Sequence, residues 1–442
     1  MSLQDKQSYL RGHISVSAAI TRRGLAYALR HLIVPLLVGV FASIYAAHYY
    51  ALHQARVDAE RASTATIAVL VPNGDPQGSQ FSTGVGRAMR RLDQLSTGDI
   101  GSRVVKLRYF NESVATDQAG AARIADEVAR ARSPLVIGPM TSGAARWLVP
   151  EFVRRGVPMI LGIPTNTALT RGVHGYVWRL SPTDADQARA VGGLAARVSP
   201  SAQAHVYWDL SENATYSEPL GKSIGEGITK LHDPAPICGP VTMITAGSAA
   251  KEIAAAPRAT VVYAGMPRLA GSLIGTALED GATATWILTD GCVDRTLMRK
   301  IGSLQQAGRA GGNRFFVTFQ APPASASDGI KAYLETARIN GEEIAGAVDM
   351  DDCDPESRAV SYEVYGYDAY VAAVDVLRRA RSLSSKDVLA VMRENEEGSP
   401  LLLMGPYEFR DGDAVGRSFH VYQIADGCLV HCDSLCTADM GR

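Results

Sequence analysis

The 442-residue chain lacks any excess of charge: 44 lysines and arginines stand against 45 aspartates and glutamates, a formal net charge of −1. So balanced a chain offers no electrostatic case for nucleic acid. It has no long block of like charge and no low-complexity tract. With 46% hydrophobic and 20% charged residues, disorder is excluded as well. Marks of the common enzyme sites are missing: no G-x-S-x-G elbow, no Walker loop and no convincing metal spacing. The expectation is a chain that is not an enzyme and holds no cofactor or metal.

What is present begins with one apolar run at 32–52, LIVPLLVGVFASIYAAHYYAL. It has no formal charge if His48 is neutral, and roughly 20 such residues make one bilayer crossing. Lys6, Arg11, Arg22, Arg23 and Arg30 precede it against Asp5 alone. That bias predicts a cytoplasmic leader at 1–31, an anchor or signal segment at 32–52, and a body outside the cytoplasmic membrane. Tyr45, Tyr49 and Tyr50 suit the far interface. The long basic region and the lack of a small-x-small cleavage site favour an uncleaved single-pass anchor over a signal peptide. Six cysteines are present, three of them as Cys428, Cys432 and Cys436 in a tail with little else to hold it. Disulfides, free thiols and, less well spaced, a metal site all remain open.

From residue 65 strand and helix patterns alternate. TIAVLVP, VVKLRYF, LVIG and PMILG are separated by segments with helical spacing, such as Phe81, Val85, Met89 and Leu92. A second series follows, with AHVYW, VTMIT, TVVYAG, TATWILT and FFVTF. This is the pattern of βα units and parallel sheets. Near the end, YEFRD and FHVYQIA flank Asp411, Gly412 and Asp413, which read as a hairpin turn.

Two such lobes make a cleft, and ligands of open parallel sheets sit beyond the strand carboxyl ends. The stretch VIGPMTSGAARWLVPEFVRRGVPMILGIPTNTALT ends two strands on hydroxyl residues. Ser142 is an N-cap or, with helix amides beside it, a carboxylate site. Thr165 and Asn166 are turn residues or ligand contacts. Pro164 has no amide, but the Ile163 carbonyl can accept. In the second lobe Asp290 is an N-cap or a partner for an ammonium group. Tyr216 is a packing residue or a site residue. Together they would clamp a zwitterion.

The sequence resembles the type I periplasmic binding proteins, in the branched-chain amino acid branch that serves ABC transporters. The resemblance rests on VIGPMTSGAA, GVPMILGIPTNTALT, VWRLSPTDADQARAVGGL, VYGYDAYVAAVDVL and FRDGDAVGRSFHVYQIADG, over about 65–427. It implies an α/β fold of two Rossmann-like lobes joined by three crossings, here near 181–188, 318–323 and 402–407, and preceded by the transmembrane helix. Lobe 1 would hold 65–184 and 318–404, and lobe 2 would hold 185–317 and 405–427, with 428–442 as the tail. The same resemblance implies that Ser142 and Thr165 hold a ligand carboxylate, that the Ile163 backbone holds its ammonium group, and that Tyr216 and Asp290 complete the site. Met266, Phe319 and Tyr365 are weaker pocket candidates. The implied role is capture of an amino acid or similar small polar ligand for an ABC importer. The alternative is a ligand-sensing ectodomain that signals to a membrane partner.

Overall fold

A computed structural model describes residues 34–432, apart from 63, 96–98, 102, 174, 199–202, 231–234, 257, 341–360, 395 and 398, together with 24, 27 and 30. It divides into two units, Met1–Thr64 and Ala65–Arg442. The first contains the helix Val34–Ala62. Among the described residues no helix is long and apolar enough to cross a membrane. The expected span at 32–52 is not supported among them. Residues 32 and 33, the start of the expected run, lie outside the described ones. The rest of the basic leader and Cys353 and Cys436 also lie outside them.

In the second unit the strands are β1 (Thr64–Val71), β2 (Val104–Asn111), β3 (Val136–Ile137), β4 (Met159–Leu161), β5 (Val177–Arg179), β6 (Ala204–Asp209), β7 (Ile237–Val241) and β8 (Ala259–Ala264). They continue with β9 (Ala284–Leu288), β10 (Arg314–Phe319), β11 (Glu396–Glu397), β12 (Tyr407–Arg410), β13 (Asp413–Ala414), β14 (His420–Ala425) and β15 (Cys428–His431). One sheet has eight strands in the order β11-β12-β13-β5-β4-β3-β1-β2, and the other has seven in the order β15-β14-β10-β9-β8-β6-β7. The central pairs are parallel in both. In lobe 2, every residue of β6, β8 and β9 is buried, as a sheet covered on both faces requires. The chain passes between sheets after β5, after β10 and after β13, so the two lobes share three crossings.

Three local expectations are corrected. YEFRD and FHVYQIA do not pair. β12 turns back on β13 through Phe409 and Ala414 within lobe 1, whereas β14 pairs with β10 in lobe 2. The last crossing therefore lies at 415–419, and 405–414 belongs to lobe 1. Alternation buries Tyr407 and Phe409, and Phe409 stacks on Trp178 of β5 at 4.4 Å, which holds the strand there. The strand expected at 241–245 is β7, which ends where that stretch begins, because Thr242 and Thr245 bond to one another's amides and turn the chain into the helix Ala246–Ala255. The tail is not loose at its start: β15 adds to β14 as an antiparallel edge, and Cys428 and Cys432 are disulfide-bonded.

Candidate ligand-binding site

The lobe 1 lip is built on a buried carboxylate. Glu112, just past β2, accepts from the amides of Met140 and Thr141 at 2.7 and 2.9 Å and from the Thr141 hydroxyl at 2.8 Å. Burial pushes the Glu112 carboxyl up to about 7, against the pull of those bonds. Thr141, not Ser142, is the N-cap of the helix Ser142–Arg154, accepting from the Ala144 amide. Ser142 is thereby released from capping. Its Oγ accepts from the Asn166 amide at 3.4 Å, which leaves its O–H to donate.

The second loop follows β4. Ser181 donates to the Pro164 carbonyl at 3.2 Å, and the Asp184 amide donates to the Thr165 carbonyl at 2.8 Å. Arg179, fully buried, pairs with Asp413 and donates to the Asn166 carbonyl at 2.6 Å. Ile163 and Thr165 are buried in this braced loop. Asn166 then reaches across: its Nδ2 donates to the Thr215 carbonyl at 2.9 Å, and Arg146 donates to the Thr215 hydroxyl at 3.2 Å. A cavity of about 550 Å³ opens beside this bridge, lined by Arg146, Val149, Asn166, Arg171, Thr215 and Glu218.

On the facing lobe, Tyr216 lies in the first turn of the helix Ala214–Thr229. Its hydroxyl donates to Asp290 at 2.5 Å and accepts from the Gly291 amide at 3.2 Å. Glycine is required at 291: a Cβ there would lie 2.7 Å from the Gly265 carbonyl and 2.9 Å from the Tyr216 ring. Asp290 is not a helix cap; Asp294 caps Arg295–Gln306 through the Thr296 and Leu297 amides. Gln187 donates to Asp290 at 2.8 Å and to Thr318 at 3.0 Å. Burial raises the Asp290 carboxyl, against the bonds from Tyr216 and Gln187.

Tyr216 and Asp290 are thus in direct contact, while Ser142 and Thr165 adjoin through the Asn166 loop. Asp184, at the first crossing, lies between the two groups. Burial raises its carboxyl to about 7; the Thr165 hydroxyl and Arg179 oppose this, and the charge of Asp290 adds to it. Neither Asp184 oxygen is reached by a donor at hydrogen-bonding geometry. Asp184, Gln187 and Gln320 were not singled out from the sequence. The signal for Asp184 and Gln187 was an Asp and a Gln three apart on one helix face, whereas Gln320, just past β10, left none. Of the weaker candidates, Phe319 packs edge-on against Tyr362 at 5.3 Å and Tyr365 donates to the Gln320 carbonyl at 2.9 Å, while Met266 is half-buried against the lobe 2 core.

No family model matches the chain, and no curated protein matches it. Solved structures do. A leucine-binding protein from Thermotoga maritima is 18% identical, with 84% of this chain and 98% of that one covered and a TM-score of 0.66. A branched-chain amino acid transporter substrate-binding protein from Streptococcus pneumoniae, in complex with isoleucine, is 17% identical over 84% and 100%, with a TM-score of 0.62. A solute-binding protein of an ABC transporter from R. palustris, in complex with 4-hydroxybenzoate, is 15% identical over 84% and 96%, with a TM-score of 0.63. The two-lobed body of this chain has the type I periplasmic binding fold that leucine/isoleucine/valine-binding proteins share with other ABC substrate-binding proteins.

Proposed function

We propose that the chain is the solute-binding component of an ABC importer and holds an amino acid or similar small polar molecule between its lobes. The observation that carries this reading is the pairing of unlike lips across the cleft. On lobe 1, Ser142 and Thr165 stand beside the amino end of a helix, which favours a carboxylate. Opposite them, Asp290 is aimed by Tyr216 and Gln187, which favours an ammonium group. The Ile163 backbone completes the ammonium side. A ligand bound at both ends would hold the lobes together across the crossings. The body would work outside the cytoplasm, where the disulfides of Cys428 and Cys432 persist.

Thermal unfolding of the full chain against amino acids and aromatic acids tests this. Ligand at about 100 times its dissociation constant adds about 2.7 kcal/mol and raises the midpoint visibly. An amino acid that raises it, with the effect abolished in Asp290→Ala, is the expected result. A shift with 4-hydroxybenzoate alone would overturn the amino-acid assignment, and no shift with any compound would overturn the binding reading.

A further inference from the structure

The cavity of about 550 Å³ beside the Asn166–Thr215 bridge is not part of the clamp: none of Ser142, Thr165, Tyr216 and Asp290 lines it. Its walls come from both lobes. The helix Ser142–Arg154 and the loop after β4 supply Arg146, Val149, Leu169 and Arg171, and the helix Ala214–Thr229 supplies Thr215 and Pro219. Most of that lining is apolar, and Val149 and Leu169 are buried core residues of lobe 1. The charge on it is mainly cationic. Arg146 is fixed over the Trp147 ring at 4.7 Å and donates to the Thr215 hydroxyl at 3.2 Å. Arg171 follows the short helix Thr167–Thr170 and makes no salt bridge among the described residues. Glu218, the acidic residue of the lining, is already paired with Lys222 at 2.7 Å.

A concave site of this size lies within the range that takes small molecules. Guanidinium groups set in apolar walls favour an anion with an apolar body. Its carboxylate would accept charge-assisted hydrogen bonds from the arginines, and its body would remove the walls from water. We propose that the cavity is a second binding site, for a small carboxylate with an aliphatic tail, and that its occupant clasps the two lobes. The clasp follows from the walls: a molecule in contact with both lobes binds best when they are held at this separation, so its binding favours that arrangement. The site is independent of the amino-acid reading proposed above, which concerns different residues.

Titration calorimetry of the full chain with butanoate, hexanoate and hexanol tests the site. Each methylene added to the acid should tighten binding by up to about fourfold. Hexanol, equal in length and uncharged, should bind at least about tenfold more weakly than hexanoate. Arg171→Gln removes one charge and should weaken hexanoate about tenfold. Ala168→Trp, at an exposed position of the lining, should fill the cavity and abolish binding. With hexanoate bound, hydrogen exchange should slow in both 166–173 and 214–219, one stretch from each lobe. Hexanoate that does not bind, or binds no better than hexanol, would overturn the site. So would loss of binding in Ser142→Ala with Arg171→Gln unaffected, because the acid would then sit in the clamp. Protection on one lobe alone would overturn the clasp. Failure of every amino acid in the thermal screen would sink the importer reading and leave this site standing.

Discussion

The lobe 1 lip and the cleft floor are both buried and both polar, yet they are finished differently. At the lip, Glu112 has three donors, Thr141 caps its helix, and Arg179 braces the Asn166 loop. On the floor, Asp184, Gln187 and Gln320 keep atoms with no partner. A saturated network rigidifies. The lip is therefore a rigid mount for Ser142 and Thr165, whereas the buried polar atoms around Asp184 are held less completely. Tyr216 and Asp290 join the two, each already bonded and each at the edge of the gap.

Four measurements press on that contrast. Asp290→Ala should have the largest effect, a loss of roughly 2–5 kcal/mol in affinity for the amino acid identified by the screen, with the unfolding midpoint of the free protein little changed; calorimetry that found affinity intact would remove Asp290 from the floor. Gly291→Ala comes next. Its Cβ must displace the Gly265 carbonyl or the Tyr216 ring, so overpacking of about 1–3 kcal/mol is expected in denaturant unfolding, with binding impaired alongside.

The third prediction concerns pH. Asp184 and Glu112 both have folded carboxyl values raised to about 7, above their unfolded values. The folded state therefore binds protons more tightly, and this contribution is fully present below the unfolded values near pH 4 and is lost as pH rises to about 7. The free protein should melt higher at pH 5 than at pH 8. Burial raises Asp290 too, and binding of an ammonium group needs that carboxyl ionised, so ligand-induced stabilisation should run the opposite way and grow with pH. Melting curves with and without ligand that kept the same pH trend would break the pairing of Asp290 with an ammonium group. The smallest effect belongs to Asn166→Ala, which removes one bond between lobes at a cost of about 0.5–1.5 kcal/mol. It should speed ligand release more than it slows capture, as stopped-flow traces would show.

Much of this architecture was legible in the chain. Apolar runs bounded by turn residues marked β1, β6, β8 and β9, because strands covered on both faces must be apolar throughout. The hydroxyls after β3 and β4 and Asp290 after β9 were found by asking what lies beyond strand ends. What escaped notice depended on long-range geometry. Whether Tyr407 and Phe409 pair with the first sheet or the second is decided by Trp178, more than two hundred residues earlier, and no local pattern records that. Choosing between Thr141 and Ser142 as cap required Glu112, which draws the Thr141 amide and hydroxyl into place from another strand. Asp184 and Gln187 read as ordinary first-turn polar residues until the crossing places them beside Asp290. A sequence cannot show which polar atoms will lack partners.

The last strand carries a consequence of its own. β15 is the outermost member of the lobe 2 sheet and covers β14, and Cys428 at its start and Cys432 just past its end are both cross-linked. An open row of backbone amides and carbonyls invites another chain to add itself as a strand. Here the row along β14 is closed by β15, whose segment carries both disulfide-bonded cysteines. Reducing agent should loosen that segment before it disturbs the cleft, so the first symptom of a reduced protein would be self-association, with ligand still bound.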